Sequence, residues 1–179
     1  MPKRNLKYLL PACIIVAVTS GCASNVPELI RNSPGTDIQI SEVQMNPQRF
    51  IGSRVRWGGN VVAVDNFKTY TQVEILGRPL ADNGKPDDSA RSRGRFLARL
   101  SGFLDPEEYP KGRLLSVTGN LSANTEKAIG QYLYTYPVVE AEARYLWPEE
   151  EPYYPYPYYR DPFFHPWYPY GYRHPYYWW

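Results

Sequence analysis

The side chains that could do chemistry are few. The 179-residue chain holds two thiols, two imidazoles and a handful of carboxylate and guanidinium clusters. The thiols are Cys13 and Cys22. A thiolate is a nucleophile and a ligand for soft metals, but both cysteines fall within the first 22 residues, so nothing after Cys22 can supply a disulfide framework or a thiolate metal site. His165 and His174 stand apart in a proline-rich stretch with no fixed element between them, which suits at most an adventitious metal site. Asp105, Glu107 and Glu108 would be an acid and base pair only in a pocket. Their order with Pro106 reads instead as a helix start, with Asp as the cap, Pro at the first helical position and Glu on the helix dipole. Arg91, Arg93, Arg95 and Arg99 form a basic stretch, read as a solvated face paired with acids such as Asp87 and Asp88. Gly58-Gly59 does not lead from a strand into a helix as a phosphate loop does. The residues therefore describe a chain that is not an enzyme, and no metal and no catalytic group are assigned.

The context of Cys22 carries more. Lys3, Arg4 and Lys7 precede an apolar run, Leu9 to Val18, and the small residues Thr19-Ser20-Gly21 lead up to the cysteine. Basic, apolar, then small is the layout of a secretory signal. A retained span would need about 20 apolar residues, and this run is far shorter and contains Pro11. Ser20-Gly21-Cys22 resembles the end of a lipobox, with Thr19 where Leu is usual. Leu10-Pro11-Ala12-Cys13 fits locally, but a cut there leaves too little apolar run and an apolar mature start. Cleavage is therefore expected between Gly21 and Cys22. In lipobox proteins the thiolate takes a diacylglyceryl group and the freed amino group is then acylated, so covalent lipid on Cys22 is the only prosthetic group expected. One acyl chain binds a bilayer marginally, whereas several hold firmly. Ala23 stands where Asp would favour inner-membrane retention, so the resemblance implies the outer membrane of a Gram-negative bacterium.

Removing residues 1–21 takes the formal charge from +2 to −1. That removes the general basic footprint of a nucleic-acid binder, and no nucleic-acid partner is expected. Four segments follow from composition: a signal peptide over 1–21, a lipidated N-terminus and tether over 22–37, a β domain over 38–147 and a tail over 148–179. The tether, if flexible, would span about 20 Å.

The β domain is read from period-2 alternation. A short helical turn is expected around Ser41 to Gln44. Strand signals follow at Arg54–Val64, with a bulge or sharp coil expected at Gly58-Gly59, and then at Tyr70–Leu76. Asp82–Ser89 is a polar loop. Further signals run over Arg95–Leu100, with Phe96, Ala98 and Leu100 on one face, then Leu114–Leu121, then Tyr132–Leu146, broken or bent at Pro137. In the last of these Val139, Ala141, Ala143 and Tyr145 share a face. Trp57, Phe96, Val117 and Val139 should be buried together. The fold class is all-β: a small five-stranded OB-like Greek-key barrel with a short helix between strands three and four.

Three runs carry a family resemblance: Arg54-Val55-Arg56-Trp57-Gly58-Gly59, Gly94-Arg95-Phe96-Leu97-Ala98-Arg99-Leu100-Ser101-Gly102-Phe103-Leu104-Asp105-Pro106, and Leu115-Ser116-Val117-Thr118-Gly119. Together they resemble the Slp family of outer-membrane lipoproteins, over about residues 22 to 147. The resemblance implies an envelope lipoprotein tied in some members to starvation or stress, with no catalytic residues to carry over.

The tail is a different kind of sequence. Residues 148–179 hold ten Tyr, three Trp, two Phe and eight Pro, and repeated Pro blocks helix and sheet ladders. A disordered extension is expected. Its amphipathic rings suit a membrane interface, or stacking on a glycan or envelope protein. Two functions stay in play: an anchored structural or interaction protein of the envelope, and a ligand-binding OB-like module for an envelope oligosaccharide or other small ligand. The second needs exposed aromatics on strands two and three, where only Tyr70 and Phe96 occur.

Overall fold

The computed structural model describes residues 25–35 and 37–149. The signal segment with Cys13, the cleavage site at Gly21 and Cys22, and the tail from residue 150 on, including its expected disorder, lie outside the described residues.

Alternating apolar residues build β1 (Arg54–Asn66), β2 (Tyr70–Gly77), β3 (Arg95–Ser101), β4 (Leu114–Ile129) and β5 (Tyr132–Leu146). These close into a barrel in the order β1-β2-β3-β5-β4. Neighbours are antiparallel except β3 and β5, which run parallel from Leu97↔Val138 to Arg99↔Glu140. The ring closes where Arg54–Asn60 pairs with β4, while β1 from Gly59 on pairs with β2. Both partners converge at Gly59, where a Cβ would lie 1.9 Å from the Leu76 carbonyl oxygen. Only glycine fits that approach. The bulge expected at the glycine pair falls instead between Val61 and Ala63; the glycines let the strand pass close to its neighbour while keeping its ladder.

The interior is filled from every strand. Val55, Trp57, Val73, Ile75, Phe96, Leu115, Val117 and Val139 form one buried cluster, and Trp57 meets Phe96 edge to face at 5.3 Å. Each of these two rings contributes on the order of 5 kcal/mol of gross burial before the entropy of ordering is subtracted. The four residues expected together in the core are all in it.

β5 runs through Pro137 without a break. Its partner absorbs the missing N–H: Ser122 pairs with Val138 and Thr125 with Tyr136, so Ala123 and Asn124 bulge opposite the proline. A second irregularity puts Glu142 outside the ladder, between Ala141↔Gly119 and Ala143↔Thr118. It reverses the expected alternation, so Leu146 rather than Tyr145 packs on the core.

The expected helix between β3 and β4 is not formed. Glu108 and Tyr109 N–H both bond the Asp105 carbonyl, at 3.1 and 3.3 Å, and the Asp105 carboxylate accepts from Glu107 N–H at 3.0 Å. Pro110 follows at once and ends the structure after a single turn. The turn expected around Ser41 is the helix α2 (Ile40–Met45), which buries Ile40 and Val43 in the barrel cluster. It lies between α1 (Glu28–Arg31) and α3 (Pro47–Phe50). α1 falls inside the expected tether, yet Ile30 is fully buried. The described part of that segment is therefore packed on the barrel.

Candidate functional site

The residues singled out in the sequence separate in space. Cys22 and Gly21, and the two histidines, lie outside the described residues. Asp105, Glu107 and Glu108 sit in an exposed turn. The basic stretch disperses as well. Arg95 pairs with Glu74, Arg99 with Glu140 at 3.2 Å, and Arg93 donates to Gln39 Oε1 at 2.6 Å. The expected acidic partners are engaged elsewhere: Asp87 accepts from Ser89 Oγ, and Asp88 from Asn60. Phe96 is buried in the core, and Tyr70 stacks on Phe67 at 4.7 Å with Arg99 over its ring.

Three polar arrangements emerge in their place. The first lies outside the barrel wall, under the β4–β5 hairpin. The alternation that turns Val73 and Ile75 inward turns Glu74 outward, where the hairpin folds over it and leaves it 5% exposed. Its carboxylate accepts from Arg95 Nη1 at 2.6 Å, Tyr136 Oη at 2.9 Å and Lys127 Nζ at 3.4 Å. Lys127 also reaches Asp65 at 3.3 Å. Burial alone would raise the Glu74 pKa, but the hydrogen bonds from Arg95 and Tyr136 and the nearby cations outweigh it and hold it below its ordinary 4.5. Burial, with the Glu74 carboxylate beside it, pushes the Tyr136 phenol up to about 12. The phenol therefore stays a neutral donor. Leu97, Tyr136 and Val138 form a small apolar cluster alongside. The hairpin was hidden in sequence because the expected fourth strand ends at Leu121, whereas β4 runs on to Ile129.

The second arrangement is a cleft of about 260 Å³ lined by Asp37, Arg56, Trp57, Arg78 and Arg93 among others. Its arginines are braced by neighbours. Arg56 Nη1 donates to the Ile30 and Arg31 carbonyls at 3.0 and 2.7 Å, and Arg78 to Asn60 Oδ1 at 2.8 Å and to the Ala90 carbonyl. Burial lowers the Arg56 pKa, with Asp82 opposing. Such a cleft favours an anion over a cation.

The third covers the outer face of β1 and β4 and is built on hydrogen bonds to backbone carbonyls. Ser116 Oγ donates to the Gly84 carbonyl at 2.6 Å and accepts from Trp147 Nε1 at 2.9 Å. Arg113 Nη2 holds the Trp147 carbonyl at 2.8 Å. Gly84 has φ of +88°, and a Cβ there would lie 2.5 Å from the Ile30 carbonyl oxygen. Glycine is thus required twice over, by conformation and by space.

Fold and site define a small closed β-barrel whose charged and neutral side chains tie peripheral segments to its wall. Comparison with known proteins then gives its kin: the chain belongs to the outer membrane lipoprotein Slp family, which matches residues 19–177. It is 34% identical over 145 residues to outer membrane protein Slp of Escherichia coli K12, covering 80% of this chain and 71% of that one. It is 36% identical over 129 residues to the uncharacterized lipoprotein YeaY of the same organism, covering 72% of this chain and 66% of the relative. An uncharacterized protein of Haemophilus influenzae is 36% identical over 94 residues, about half of each chain. No solved structure matches. The protein is an outer-membrane lipoprotein of the Gram-negative envelope. The family match runs into the aromatic tail, well past the limit near residue 147 expected from the motifs.

Proposed function

We propose that the protein is an anchored structural or interaction component of the outer membrane, without catalytic activity, cleaved between Gly21 and Cys22 and held by a diacylglyceryl and an N-acyl chain on Cys22. The observation that carries this reading is the extent of the family match, which begins at residue 19, just ahead of the cysteine, and continues to residue 177. The barrel supports it: its conspicuous ionisable groups are spent on each other, as ties between β2, β3 and the hairpin. The strand order with its parallel β3–β5 contact supports an OB-like Greek-key architecture. The tail supplies the rings for contact with lipid, glycan or an envelope protein.

Cys22→Ala should leave an unprocessed precursor that no longer partitions into detergent as the acylated protein does. Normal acyl-dependent partitioning of that variant would refute the anchor. Deleting residues 148–179 should leave cooperative unfolding intact and weaken capture of envelope components. A second reading, a module for a small ligand, draws support from the arginine-lined cleft. In that reading the ligand is anionic, and titration calorimetry with acidic oligosaccharides tests it, an Arg93→Ala loss of binding being the expected outcome. The outer face of β2 and β3 is a poor candidate, because the hairpin covers Glu74 and Leu97 there.

A further inference from the structure

Both ends of the folded domain leave from one patch of the barrel wall. The Ile30 carbonyl lies against Gly84, the Gly84 carbonyl is held by Ser116, and Ser116 is held in turn by Trp147. Ile30 lies in α1, just after the route from Cys22, and Trp147 lies just before the aromatic tail. Pro27, the N-cap of α1, follows Cys22 by five residues. Fully extended they reach about 18 Å. A domain of this size has a radius of gyration of about 13 Å and so a diameter of roughly 35 Å. Turning the opposite wall toward the anchor would need a connection that runs halfway round the domain, on the order of 50 Å for that radius. The available residues fall well short.

We propose that the side of the barrel where α1 and the Gly84 loop cover β1 and β4 is its membrane-facing side, apposed to the bilayer that holds the Cys22 acyl chains. The same placement delivers the tail to that bilayer. Tyr153 follows Trp147 by six residues, at most about 21 Å of chain, so the Tyr and Trp rings are brought to the lipid interface they favour beside the anchor. The partner is a lipid surface, and the inference rests on Cys22 being the acylated residue. The arm built by β4 and β5 over Glu74 is held against β2 and β3, across the ring from this patch.

The test uses the full, processed chain in phosphatidylethanolamine and phosphatidylglycerol vesicles containing a headgroup-nitroxide lipid. Processing removes Cys13 and acylation consumes the Cys22 thiol, so Glu149→Cys or Ser101→Cys supplies the single thiol for a fluorophore. Glu149 is 81% exposed next to the patch, and Ser101 is exposed at the end of β3. The lipid should quench the label at 149 at least twofold more strongly than the label at 101. Equal or reversed quenching, with the acyl mass present on the Cys22 peptide, would overturn the orientation alone. Absence of that mass would overturn the anchor and the orientation together. Tryptophan emission should also be quenched, and replacing Trp167, Trp178 and Trp179 by Phe should remove at least half of that quenching. No change on that replacement would overturn delivery of the tail to the interface.

Discussion

Two outer faces of one barrel are covered by the protein's own chain in opposite ways. On β1 and β4 the cover is α1 and the loop around Gly84, fastened by hydrogen bonds to backbone carbonyls from Ser116 and from the Arg56 and Arg113 guanidiniums, with Trp147 donating to Ser116. On β2 and β3 the cover is the β4–β5 hairpin, fastened by a carboxylate that takes three donors. The carbonyl-directed fastening depends on close approach, so its weak point is steric. The ionic one depends on complete pairing, because a buried charge left alone costs several kcal/mol. Local sequence decided which was used: glycine and serine permit backbone contact, while Glu74 between two core residues had to be either solvated or fully satisfied.

Both covers rest on the same interior, and the largest effect should come from there. Phe96→Ala should cost about 3–5 kcal/mol in denaturant unfolding and loosen both faces together. If it melts with the wild type, β3 does not point its Phe inward and the comparison loses its shared base. Glu74→Ala comes next, at about 2–3 kcal/mol, since Arg95 and Tyr136 lose their acceptor. Amide exchange should accelerate over 123–136 and stay unchanged around Ser116. Equal acceleration on both faces would mean that the covers are not separate. Gly84→Ala should cost about 1–2 kcal/mol through its left-handed backbone and the clash with Ile30, with exchange rising in α1 alone.

The smallest effect is the one that separates the buried carboxylate from the carbonyl-directed bonds most cleanly. The folded Glu74 pKa lies below its ordinary value because donors and cations outweigh burial. Its contribution is therefore present above the unfolded carboxylate pKa and is lost as pH falls through the folded one. The stability gap between wild type and Glu74→Gln should shrink on acidification from pH 7 to pH 3. The gap between wild type and Gly84→Ala should stay flat.

Much of the barrel was legible in the chain. Alternation at Arg95–Leu100 and Val117 placed the core, and Tyr132–Leu146 was bounded correctly despite Pro137, since a proline in a strand can be met by a bulge in its partner. What alternation could not convey was the second layer. Ile30, Tyr136 and Trp147 are buried by segments that return to the barrel from far along the chain, and no local period encodes that return. The helix expected after Asp105 failed because a good start says nothing about Pro110 stopping it. The cleft was equally hidden: Arg56, Arg78 and Arg93 lie on separate segments and meet only once the barrel closes. The proposed anchor is the reverse case, argued from a few consecutive residues with no tertiary information.

That anchor is the central claim, and the mass of the mature protein purified from envelopes tests it most directly. The N-terminal peptide should begin at Cys22 and carry a diacylglyceryl thioether with an acyl chain on its amino group. A mature protein that begins upstream of Cys22, or at Cys22 with a free thiol, would contradict the account.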